Sequence, residues 1–130
     1  MRFILVDKII DMEPGKTIRA LKRFSADEEF FKDHFPGFPV VPGVLQTEMM
    51  AQAAGKCLDA EQRPRGMAML VEIKKARFRD WMKPEQTAKI SADILTNRDK
   101  YATAGCWIEI DGKKICSAEL FFSFVPLDQF

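Results

Sequence analysis

Histidine and tyrosine are almost missing from this chain: one of each occurs in 130 residues. Net charge is nearly missing too, because 20 lysines and arginines face 19 aspartates and glutamates and leave +1 at neutral pH. That balance excludes wholesale binding of nucleic acid, which needs a strong basic excess. One histidine with Cys57, Cys106 and Cys116, and no Cys-x-x-Cys pair, does not make a zinc site. An odd cysteine count also argues against a disulfide framework, so three buried thiols are expected. There is no glycine-rich phosphate loop and no Gly-x-Ser-x-Gly turn around a nucleophile. No apolar run approaches the roughly 20 residues that cross a bilayer. Phe3-Ile4-Leu5-Val6 is cut by Asp7 and Lys8, too short for a secretory core. These absences point to a cytoplasmic protein with no membrane span, no metal and no cofactor.

What is present is a globular composition, 47% apolar and 30% charged, in a length that a single domain over 1–130 fills with a real core. Strand patterns dominate. Phe3 to Asp11 and Lys16 to Phe24 read as a hairpin turned at Glu13-Pro14-Gly15. Ser25, with Glu28 at the third helical position, predicts a capping box and a short helix over Ala26 to Phe31. Beyond a charged, loop-like Asp59 to Gly66 comes a long strand candidate, Met67 to Arg79, in which Met67, Met69, Val71 and Ile73 alternate. Lys89 to Thr96, Tyr101 to Ile110 and Lys114 to Phe124 alternate as well. They are joined by Asn97-Arg98-Asp99-Lys100 and by Asp111-Gly112, a type I′ turn signal. Strands joined by turns this short are antiparallel. Val125 to Phe130 reads as a tail.

Between the strand-rich parts lies a different kind of sequence. His34-Phe35-Pro36-Gly37-Phe38-Pro39-Val40-Val41-Pro42-Gly43 holds three prolines and two glycines, which leave no room for a regular helix or strand. From Gly43 to about Leu58 good helix formers follow, apolar on nearly every side, as in a helix buried all round. One carboxylate, Glu48, interrupts that run about one and a half turns in. A carboxyl among apolar neighbours resists ionisation and suits a general acid, whereas imidazole suits a general base. The amides of Gly43 and Val44, at the positive end of the helix, are placed to grip a carbonyl oxygen. Together these parts suit proton removal beside a carbonyl, with an oxygen leaving group protonated nearby. On the residues alone, a structural histidine and a snorkelling or paired glutamate stand as alternatives.

The same stretch resembles the signature of the (3R)-hydroxyacyl-acyl-carrier-protein dehydratases of the FabZ type, roughly H-F-P-G-x-P-x-x-P-G-V-L-x-x-E-x-x-A-Q. Every fixed position is present from His34 to Gln52. Ile4-Leu5-Val6-Asp7-Lys8, Glu13-Pro14-Gly15-Lys16 and Lys75-Ala76-Arg77-Phe78-Arg79 are similar to the family too. Glutamate at position 48 favours FabZ over the sister FabA type, which carries aspartate there. Glu72 stands where the family often has glycine, and Pro84-Glu85-Gln86 where it has a Pro-Gly-Asp turn. The resemblance implies His34 as base, Glu48 as acid and the Gly43 amide as oxyanion donor. The fold it implies is α+β: a hot-dog, with an antiparallel sheet wrapped around one long central helix. That architecture also accounts for a helix without a polar face.

The implied reaction is dehydration of (3R)-3-hydroxyacyl-acyl carrier protein to the trans-2-enoyl product in fatty-acid or related lipid biosynthesis, without a cofactor. A curled sheet has edges that want a partner, so a dimer is expected. The resemblance adds that base and acid come from different subunits and that three dimers form a hexamer. Phe38, Val41, Leu45, Met49 and Met69 are candidates for the acyl tunnel, although core packing explains them as well. Lys74, Lys75, Arg77 and Arg79, with Lys83 nearby, form either a solvated strand face or a landing patch for the acidic carrier protein. The rival functions are a hot-dog acyl-thioester hydrolase, with Glu48 activating water, and a non-catalytic acyl-carrier binding module. The intact histidine loop with Glu48 argues for dehydration over hydrolysis, and turnover of an enoyl substrate in the hydration direction would remove the binding module.

Overall fold

Six strands and one long helix account for most of the residues that the computed structural model describes, 4–126. In chain order they are β1 (Lys8–Glu13), β2 (Thr17–Arg23), the short α1 (Phe30–Asp33), α2 (Gly43–Asp59), β3 (Met67–Phe78), β4 (Thr87–Asn97), β5 (Tyr101–Ile110) and β6 (Lys113–Val125). The strands form one antiparallel sheet in the order β1-β2-β4-β5-β6-β3. The hairpin turns are those expected. Gly15 takes φ of +74° between β1 and β2, and its N–H reaches the Cys57 carbonyl on α2 at 2.9 Å. Asp111 and Gly112 both have positive φ, 52° and 79°, as a type I′ turn requires.

After β2 the chain leaves the sheet, lays α2 across its concave face, forms β3 at the far edge and returns as β4 beside β2. This crossover wraps the sheet around the helix, giving the hot-dog arrangement. Met49, Met50, Ala53, Ala54 and Cys57 on α2 are fully buried against Ile90, Ala92, Ala104, Ile108 and Leu120 of the sheet. Small residues on both sides let the helix lie close, and each methionine sealed there contributes about 1.5–3 kcal/mol.

Several details differ from the sequence reading. β1 starts at Lys8 rather than Phe3, which lies outside the described residues. Ile4 to Asp7 is irregular because its polar groups are used elsewhere: the Leu5 N–H donates to Gln52 Oε1 at 2.8 Å, and the Asp7 carboxylate accepts from Lys22 and from the Arg23 N–H. The capping box at Ser25 makes only a turn, with the Asp27 N–H on Ser25 Oγ at 3.2 Å. Helix α1 begins at Phe30, because residues 24–26 are tied instead to Glu85. The Glu85 N–H donates to the Phe24 carbonyl at 2.8 Å, and its carboxylate accepts from the Ala26 N–H at 2.7 Å and from Arg23. Glu85 itself sits at φ 69°, the left-handed conformation that a glycine adopts without strain.

Helix α2 is not buried all round. Glu48, Gln52 and Gly55 are half-buried, and Lys56 and Asp59 are exposed, along one stripe beside β3. The β3 alternation is also interrupted. Its pairing with β6 jumps between Leu70 and Glu72, so Ile73 lies opposite the buried Leu120, whereas Met69 lies opposite Ser123. Met67, Met69, Val71 and Ile73 all remain 39–56% exposed along this outermost strand.

Candidate active site

The histidine loop hangs from the end of α1. The His34 N–H closes the helix onto the Phe30 carbonyl at 3.1 Å, and the His34 carbonyl accepts from the Val40 N–H at 2.9 Å. Inside that span Phe35 and Phe38 exchange backbone hydrogen bonds at 2.9 and 2.8 Å around Gly37, whose φ of 77° the tight turn requires. The His34–Phe35 peptide is cis. The imidazole is half-buried and stacks on the Phe35 ring, with 4.3 Å between centroids. From Val41 onward the loop is fastened to the β3–β4 connection: the Val41 N–H donates to the carbonyl of the fully buried Met82 at 2.7 Å.

Pro42 then starts α2. Its carbonyl accepts from Leu45 and Gln46, and no side chain caps the helix. The amides of Gly43 and Val44 are therefore without an acceptor among the described residues, at the positive end of the helix. A pocket of about 300 Å³ opens here, lined among others by His34, Val41, Gly43, Gln46, Phe78 and Trp81. A Cβ at position 43 would stand 3.3 Å from the Phe78 ring, so glycine is what lets that ring close on the helix start. Asp80 also lines the pocket. Lys113 Nζ at 2.8 Å and the Trp81 N–H at 2.8 Å donate to its carboxylate and hold it below the usual carboxylate range.

Glu48 lies elsewhere. It lines a groove of about 400 Å³ between α2 and β3, with Ala51, Gln52, Gly55, Met69 and Phe122 among the other walls. Gln46 and Glu48 are two residues apart on one helix, hence about 200° around its axis, so the two cavities open on opposite sides of α2. Gln52, one turn below Glu48, donates from Nε2 to Glu48 Oε1 at 3.4 Å.

The other expected site residues divide between these places. Val41 lines the His34 pocket and Met69 the Glu48 groove, so the five tunnel candidates do not share one cavity. Phe38 is half-exposed and packs edge-on against Trp81 at 5.5 Å. Leu45 is half-buried against the core, Met49 is sealed within it, and Val44 is 80% exposed. Lys75, Arg77 and Arg79, with Lys114 and Trp107, line a further groove of about 360 Å³ on the outer face of the sheet. Arg79 lines both that groove and the His34 pocket. Lys74 and Lys83 are exposed and are not among its walls.

Sequence reasoning assigned no role to Gln46, Asp80, Trp81 or Gly55. For Gln46 the signal was available: a polar residue within an apolar helical run, the same feature that drew attention to Glu48. Asp80 and Trp81 carry no such pattern, since only the return of the chain after β3 brings them to the loop.

The profile of the FabA-like domain family matches residues 1–119. The chain is 36% identical over 122 residues to the 3-hydroxyacyl-[acyl-carrier-protein] dehydratase FabZ of Ruminiclostridium cellulolyticum, covering 93% of this chain and 86% of that protein. It is 35% identical over 128 residues to the protein of the same name from Listeria innocua, covering 98% and 89%. Among solved structures, the dehydratase heterocomplex ApeI:P from Xenorhabdus doucetiae superposes with a TM-score of 0.76 at 18% identity, over 97% of this chain and 86% of that one. A hypothetical thioesterase from Streptococcus pneumoniae, solved with coenzyme A, gives 0.72 at 9% identity over 92% and 88%. At such identities the two structures establish a shared fold and nothing about the reaction.

Proposed function

The chain belongs to the family of FabA-like domains, and we propose that it dehydrates (3R)-3-hydroxyacyl-acyl carrier protein with His34 as base and Glu48 as acid. The reaction, 3-hydroxyacyl-acyl carrier protein dehydration, is the one its FabZ relatives are named for. The observation that carries the residue assignment is the pocket in which His34 and the Gly43 amide meet. A thioester carbonyl held on the Gly43 and Val44 amides places the adjacent carbon against the imidazole. His34 removes a proton from that carbon, and the amides stabilise the negative oxygen that results. Glu48 then gives its proton to the departing 3-hydroxyl, so that water and the trans-2-enoyl thioester leave. One group must be unprotonated and the other protonated, which makes the rate bell-shaped in pH.

Within one chain the acid faces away from the base, so the Glu48 of each site comes from a second copy. What supports this is the β3 edge, where Met67, Met69, Val71 and Ile73 are each exposed beside unpaired backbone. Two copies joined along β3 continue the sheet and lay the Glu48 groove of one beside the His34 pocket of the other. The acyl chain then lies in the groove over Met69 and Gly55. Three such dimers make the hexamer. The carrier protein lands on Lys75, Arg77 and Arg79, flanked by Lys74 and Lys83, and Arg79 leads from that landing to the pocket.

The test is complementation. His34→Ala and Glu48→Gln proteins, each inactive alone, regain about a quarter of wild-type activity when mixed and allowed to exchange, because half the dimers then hold one intact site of two. Full activity in either single variant, or no recovery on mixing, would sink the shared-site assignment.

A further inference from the structure

Gln46 is a buried polar side chain in the His34 pocket that this mechanism leaves unused. It lies in the first turn of α2 and is 4% exposed. Its Nε2 donates to the Val41 carbonyl at 3.0 Å. That bond decides which way the amide faces, since a carbonyl can only accept and the amino end must therefore point to Val41. The other end, Oε1, is buried without a hydrogen-bond partner among the described residues. Leaving a buried acceptor unmet destabilises a protein by more than an ordinary hydrogen bond stabilises it. Native proteins keep few such groups, and each has a reason. Here the helix around position 46 is apolar, so an apolar side chain would fill the space without that cost. The glutamine instead lines the cavity shared by His34 and Gly43. Whatever meets Oε1 must donate a hydrogen bond.

A 3-hydroxyacyl pantetheine thioester offers few donors. Its thioester carbonyl only accepts, and the carbon to be deprotonated belongs to His34. Its 3-hydroxyl is engaged by Glu48 from the other side of the site. The remaining donors near the reacting centre are the amide N–H groups of the pantetheine arm, the first of them two methylenes from the sulfur. We propose that Gln46 Oε1 accepts a hydrogen bond from this amide N–H and so aligns the arm in the His34 pocket. Gln46 is a substrate-positioning residue and moves no proton. The proposal rests on the dehydratase reading with His34 at the reacting carbon.

The experiment uses acyl carrier protein charged with a 3-hydroxyacyl group on either the natural arm or an arm N-methylated at that amide. The wild-type enzyme loses about tenfold in kcat/KM on the methylated arm, the worth of one neutral hydrogen bond. Gln46→Met loses about tenfold on the natural arm, through KM with kcat nearly constant, and loses nothing further on the methylated arm. Its pH–rate profile keeps the wild-type shape. Equal rates on the two arms in the wild type would overturn the proposal, and that measurement needs no variant to fold. An equal loss by Gln46→Met on both arms would assign Oε1 to another group or to packing. A displaced pH profile would assign it to the imidazole. If the wild type dehydrates neither arm, the reading of the reaction falls, and not merely the role of Gln46.

Discussion

The pocket at His34 and the groove at Glu48 flank the same helix but are built in opposite ways. The first is finished by local chain: a proline-bound loop, a helix start and the β3–β4 connection fasten one another through backbone hydrogen bonds, and Phe78 closes on a glycine. The second is a more open trough between α2 and the edge strand β3. Its floor is a helical stripe of Glu48, Gln52 and Gly55, and its rim is an edge strand with exposed methionines and β-branched residues. On the proposed mechanism, the difference means that a single copy orients the base and the oxyanion donor while the acid is supplied by a second copy. On that proposal, rigidity is encoded where one chain suffices, and exposed apolar surface where a second one docks.

The most severe way to break this contrast is to remove the base. His34→Ala lowers kcat/KM about 10³-fold, within the range for a lost general base, while leaving dimerisation unchanged; enoyl formation and light scattering read the two effects. Next comes the rim. Val71→Glu sets like charges against each other along β3, converts the protein to monomers and removes activity in proportion to the dimer lost. A fully active monomer would contradict the shared site. The groove floor tests the contrast more gently. A Cβ at position 55 meets nothing within 4 Å, so Gly55→Leu fills the trough without disturbing the core. Replacing glycine in a helix interior stabilises it by up to about 1 kcal/mol. Long acyl chains then lose rate while short ones keep it, by about fourfold for each methylene no longer buried.

On the outer face, Arg77→Glu raises KM for the carrier-bound substrate several-fold and flattens its dependence on salt. The smallest effect belongs to the closed side of the helix. Burial pushes the Cys106 and Cys116 thiols up to about 12, so alkylating reagents at neutral pH leave both unlabelled until the protein unfolds.

Much of this was legible in the amino acids. The strands from Tyr101 onward alternate cleanly because each has one face on the core, and Asp111-Gly112 names its own turn. The proline-rich loop and the run from Gly43 mark their boundaries by backbone restriction alone. β3 was harder. Its period of two is broken by an extra residue at Val71, which only the pairing with β6 reveals, so that Met69 lies opposite Ser123 but Ile73 opposite the buried Leu120. The helix misled for a related reason: alanine, glycine and methionine look the same in sequence whether they face a sheet or an unfinished trough. Gln46 shows the limit from the other side. Its polarity was visible, but its orphaned carbonyl required the position of Val41.

The irregularities of β3 carry one more consequence. An exposed edge strand of twelve residues whose first five are apolar is the kind of surface on which chains stack without end into fibrils. Here the ladder to β6 skips at Val71 and again between Lys74 and Arg77, where Lys75 turns left-handed at φ 53°. Each kink twists the strand out of line, so only a short segment stays straight enough to accept a mate. In the proposed dimer two molecules clasp there in one register, and the clasp hides the edge from a third.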